Sequence, residues 1–214
     1  MYSLIKREIK DNIFYFILPV CFAAVSVTFI VAKVLKEAAH DVPVGIPEIM
    51  YLVFYTYIPF AGIVAAAFGA SQMYTDKSKR ISGFLITLAT TRGRILTAKV
   101  ITGLLWISVA LLPIAAADAA LLKVFNPLVP IDSKSLVSLF IITFTLYTGC
   151  YVTGLLLGWT ANKVVPSFGC LVITAALISV VVIKGFTISA FVILLLFTLA
   201  AMIRTTQKFL TTPL

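Results

Sequence analysis

Apolar residues in this chain fall into long unbroken runs, and polar residues collect in the gaps between them. Four runs are cleanly bounded, at about 13–34, 50–73, 101–122 and 135–159. A fifth, Ser167 to Ile203, is too long for one crossing: as a helix it would run about 55 Å against a hydrocarbon layer of about 30 Å. A break at Lys184-Gly185 divides it into 166–183 and 186–203. The pattern therefore predicts an all-α polytopic membrane protein with six transmembrane helices in a single domain, 1–214.

The gaps predict the rest. In residues 1–11, Tyr2, Ile5 and Ile9 share one helical face and Lys6, Arg7 and Lys10 the other, the pattern of a helix lying in the membrane interface. Residues 36–49 hold Pro43, Gly45 and Pro47 and read as an outer loop, with the sole histidine, His40, as a solvated residue. The longest interior polar gap, 74–100, carries Lys77, Lys79, Arg80, Arg92, Arg94 and Lys99 against one acid, Asp76. Inside it, residues 81, 84, 85 and 88 are apolar at helical spacing, so Ile81 to Ala89 predicts a short amphipathic helix on a basic loop. Such a surface suits a soluble partner.

Within the spans, two patterns stand out. Gly62, Ala66 and Ala70 recur every fourth residue, as do Ala65 and Gly69, and Gly154/Gly158 form a GxxxG; small residues let helices approach closely where lipid supplies no hydrophobic drive. The 135–159 run is also rich in hydroxyls. Thr143, Tyr147, Tyr151, Gly154 and Gly158 are candidates either for a translocation path or for helix packing. Asp118, about a turn from the outer end of its span, is expected to be hydrated or paired with an outer lysine such as Lys123. Cys21, Cys150 and Cys170 all fall in apolar runs without a CxxC and read as small buried hydrophobes.

Composition sharpens this. The chain is 61% hydrophobic and only 12% charged, with a mean hydropathy of +1.11, whereas soluble domains are about a quarter charged. Its net charge of +9 is read as topology and contact with anionic lipid, not as nucleic-acid binding. With the N-terminus inside, twelve of the seventeen Lys and Arg residues fall on the inner side, so both termini are expected in the cytoplasm and the chain in a plasma or inner membrane. GxxxxGK[ST], HExxH, GxSxG and CxxC are all missing from the sequence, which leaves no catalytic, cofactor-binding or metal residues to name and no energy source on this chain.

Taken together, Asp76, Ser82-Gly83, Leu85, Leu88, Ala89-Thr90, Arg94, Ile95-Leu96 and Lys99 resemble the first cytoplasmic loop of ABC-2 permeases, the membrane subunits of type-2 ABC transporters. Basic residues stand where that family commonly has a glutamate before the glycine, and Thr91 where proline is common. The resemblance implies a prokaryotic permease subunit that is not an enzyme and that pairs with a second permease copy as a homodimer or a heterodimer. Transport, with export the expected direction, would be driven by a separate ATPase subunit holding ATP and Mg. It implies that 74–100 is a coupling loop whose helix docks on that ATPase through Lys79, Arg80, Ile81, Gly83, Phe84, Leu85, Leu88, Arg92 and Arg94. The alternative is a non-transporting membrane anchor or assembly subunit that holds a soluble complex.

Overall fold

The structure, a computed structural model, describes residues 2–38, 46–78, 91–125, 133–159 and 164–211. The described residues form helices without strands: α1 (Tyr2–Asp11), α2 (Ile13–Ala38), α3 (Ile46–Ser78), α4 (Arg92–Phe125), α5 (Ser133–Gly158), α6 (Val164–Lys184) and α7 (Ile188–Thr211). Pro19, Pro59 and Pro113 lie inside α2, α3 and α4. Among the described residues, three stretches are long and apolar enough to cross a membrane: Arg92–Pro113, Val137–Gly158 and Ile188–Thr211. Shorter apolar stretches cover Ile13–Val25 and Phe168–Lys184.

α3 and α4 extend furthest beyond their apolar runs. α3 has 33 residues and α4 has 34, so each spans about 50 Å. The expected loop at 74–100 is therefore shorter than its polar composition suggests: Tyr74–Ser78 continue α3, and Arg92–Val100 already belong to α4. Apolar run length reports the thickness of lipid, whereas helix length follows backbone hydrogen bonding, which polar side chains do not interrupt. The amphipathic piece expected at 81–89 lies outside the described residues.

The long apolar C-terminal stretch does break where charge and glycine interrupt it. α6 ends at Lys184, Gly185 adopts φ 65°, and α7 starts at Ile188. The positive φ suits glycine, which has no Cβ to clash there. Thr187 Oγ1 donates to Lys184 O at 3.1 Å and tightens the turn.

At the centre of the bundle α3 lies along α5, and α5 also carries α6, α7 and part of α4; α1 and α2 lean on α4. The α3–α5 seam is made by missing side chains. A Cβ on Gly154 would overlap the Ala66 carbonyl, one on Gly158 the Ala70 carbonyl, and one on Gly69 the Tyr151 carbonyl. The two small-residue patterns of the sequence are thus the two halves of one contact. Beside it, Phe68 touches Tyr15, Phe16, Trp106 and Tyr151 with ring centroids 5.5–5.8 Å apart. Trp106 Nε1 donates to Tyr15 O at 2.7 Å, and Tyr57 Oη to Ala110 O at 2.7 Å, so both buried ring donors are satisfied by neighbouring helices.

Among the described residues Phe14, Leu112, Phe168, Ile183, Ile188 and Leu196 are all strongly exposed, which fits a transmembrane bundle. Cys150 and Cys170 are buried as expected; Cys21 instead lies on the exposed side of α2. All three thiols are free.

Candidate functional site

One end of the bundle gathers α1, the C-termini of α3, α5 and α7, and the N-terminus of α4. Its centre is an ion cluster. Lys99, Glu8 and Asp76 are each at most 4% exposed. Lys99 Nζ lies 3.0 Å from Glu8 Oε1 and 3.1 Å from Asp76 Oδ2, and donates also to Gln72 O at 3.3 Å. One ammonium therefore holds a carboxylate from α1 and another from α3 against α4. Arg7 Nη2 reaches the same Glu8 oxygen at 3.1 Å from the rim. Asn12, between α1 and α2, donates from Nδ2 to Glu8 O at 2.9 Å and closes the end of α1.

Tyr151 brings α5 to the cluster. Tyr151 Oη lies 2.6 Å from Gln72 Oε1 and 2.7 Å from Lys99 O. A phenol carries one proton and donates to one of these oxygens at a time. Gln72 Nε2 is meanwhile buried with no partner among the described residues. Turning the Gln72 amide over presents Nε2 to Tyr151 Oη and frees the phenol to donate to Lys99 O, which satisfies both groups. Room for the Tyr151 ring comes from Gly103, where a Cβ would overlap it. Glycines thus give the tyrosine its place, and the tyrosine joins the seam to the ions.

The cluster brackets the basic segment 79–90: Asp76 stands just before it and Lys99 one helical stretch after it. Of the residues expected to dock a partner, Lys79, Arg80, Ile81, Gly83, Phe84, Leu85 and Leu88 lie outside the described residues. Arg92 and Arg94 are described, in the first turn of α4, where Arg94 is exposed and Arg92 Nη1 donates to Leu210 O at 3.0 Å.

The five path-or-packing candidates separate. Gly154 and Gly158 are in the seam, and Tyr151 is in the polar network. Thr143 and Tyr147 are buried, with hydroxyls that lack a partner among the described residues. Their neighbours differ: Thr145, Thr148 and Thr153 each donate to the carbonyl four residues back, at 2.7–2.8 Å. Such a threonine presents its methyl to lipid or core and needs no water.

A groove of about 490 Å³ opens between α2, α3 and α6. Its wall runs from Ala66, Ala67 and Ala70 to Ser71 and Tyr74, with Thr174 opposite. Gly158 lines it as well as the seam. The wall is apolar along most of its length and acquires hydroxyls toward the end that holds the ion cluster. Among the described residues, no group of three or more His, Cys, Asp and Glu side chains is placed to hold a metal ion.

Sequence reading named Asp76 and Lys99 but missed Glu8 and Gln72. Glu8 sits among Lys6, Arg7 and Lys10 and looks like one charge of a solvated face. The usable signal was Lys99 itself, a cation directly before an apolar run with no acid near it in sequence. Comparison with family models, with curated proteins and with solved structures gives no match for this chain.

Proposed function

We propose that this chain is the membrane-spanning permease subunit of an ATP-driven transporter, with six spans, both termini in the cytoplasm and a separate ATPase that docks on the basic segment 79–90. The observation that carries the reading is the buried cluster of Lys99, Glu8 and Asp76. A partner that only needed a foothold would need no such structure behind it. An ion cluster that joins α1, α3 and α4 at the base of the segment makes them move as one body when the segment is pushed. Tyr151 and the tight seam extend that body to α5.

The groove beside α3 suits an amphipathic cargo, with its tail along the alanine wall and its polar end near Ser71 and Tyr74. Two copies of the chain would be needed to pair with two ATPase subunits.

The test is purification from the host membrane with whatever ATPase is retained. Phe84→Asp with Leu85→Asp is expected to release the ATPase. Lys99→Met combined with Glu8→Gln and Asp76→Asn, which removes the ionic joint without stranding a carboxylate, is expected to keep it bound while cargo-stimulated hydrolysis falls at least tenfold. If the wild-type chain retains no ATPase, the reading fails. Retention with hydrolysis that no cargo stimulates would favour the anchor or assembly alternative.

A further inference from the structure

Both roots of the segment 79–90 are tied to the C-terminus of another helix. On the α3 side, Lys77 Nζ donates to Trp159 O at 3.0 Å, just past the end of α5, and lies 5.9 Å from the centroid of the Trp159 ring. On the α4 side, Arg92 Nη1 donates to Leu210 O at 3.0 Å, in the last turn of α7. Terminal helix carbonyls have no partner within their own helix and carry the negative end of the dipole, so each cation meets a prepared acceptor. Phe209 joins the two ties. It is 2% exposed, and its ring meets Trp159 edge-on at 5.3 Å.

We propose that the last turn of α7 is a latch, which ties the root of α4 to α7 and, through Phe209 and Trp159, to the root of α3. This rests on the permease reading and adds a second route to it. Displacement of the segment passes through Lys99 to α1, α3 and α4, and through the latch to α7. A helix tail that merely ended here would need neither a buried aromatic nor a cation from another helix. Arg92 therefore acts inside the subunit as well as on the surface facing a partner.

Hydrogen exchange of the full chain in lipid nanodiscs, with and without the retained ATPase, tests the latch. Arg92→Gln removes the donor. A chain ending at Lys208 removes both Phe209 and Leu210 while leaving the rest of α7. Loss of this solvent-exposed bond is expected to speed exchange across 92–100 about threefold in Arg92→Gln, and loss of buried Phe209 with it about tenfold in the shortened chain. With the ATPase bound, nucleotide is expected to change exchange at 188–208 in the wild type and not in the shortened chain, which still retains the ATPase. Unchanged exchange across 92–100 in both variants overturns the latch, and so does a nucleotide response at 188–208 that survives the shortening. Failure to retain any ATPase instead overturns the permease reading, and the exchange of the chain alone still decides whether the latch exists.

Discussion

The seam between α3 and α5 and the ion cluster at its end hold the same helices together by opposite means. The seam works through absence: Gly69, Gly154 and Gly158 let two backbones touch, and no side chain has to be oriented. The cluster works through long charged side chains, Lys99 and Glu8 above all, removed almost wholly from solvent. A glycine contact freezes no side-chain rotamers on forming and brings two backbones to close range. A buried ion cluster depends on every partner being present, because a charge left alone in a poor dielectric is far costlier than the intact set. The seam is thus suited to a rigid axis, and the cluster to a joint whose strength is set by who remains in it.

Four tests probe this contrast. Lys99→Met should have the largest effect, a loss of about 3–5 kcal/mol, because two carboxylates lose their shared cation. Adding Glu8→Gln and Asp76→Asn should recover most of it; unfolding in detergent measures both. Equal stability of the single and triple variants would show that the three groups are not coupled. Gly154→Val comes next, at about 1–3 kcal/mol. The backbone carbonyl of Ala66 cannot step aside as a side chain would, and no compensating charge change should rescue the variant.

Tyr151→Phe tests the link between the two regions. It should cost about 1–3 kcal/mol by leaving Lys99 O short of a donor and Gln72 Nε2 short of an acceptor, and it should lower the coupling energy measured between Lys99 and Gly154 variants. A double-mutant cycle is the measurement. Thr153→Val should be smallest, within about 0.6 kcal/mol, since among the described residues its hydroxyl bonds only to Gly149 O in its own helix. A loss above 2 kcal/mol in melting experiments would mean that Thr153 has a role beyond its helix.

Much of the scaffold was readable from local pattern. The break at Lys184-Gly185, the small-residue stripes of α3 and the GxxxG of α5 all reappear as structure, because each depends on length or on residue size alone. The helix ends were read less well, since polar composition at Tyr74–Ser78 and Arg92–Val100 says nothing against helical hydrogen bonding. The candidate site was half visible. Asp76 and Lys99 drew notice through the loop they flank, whereas Glu8 lies 91 residues from the lysine it pairs with.

The sequence by itself determined that this chain is greasy, helical and strongly asymmetric in charge, because those properties follow from the character of each stretch taken alone. Which glycine faces which alanine, which of several acids enters the interior, and which helix C-terminus receives Lys77 or Arg92 were decided only by the tertiary structure. These are choices among chemically equivalent partners, and only the packing of helices remote in sequence brings one of them within reach.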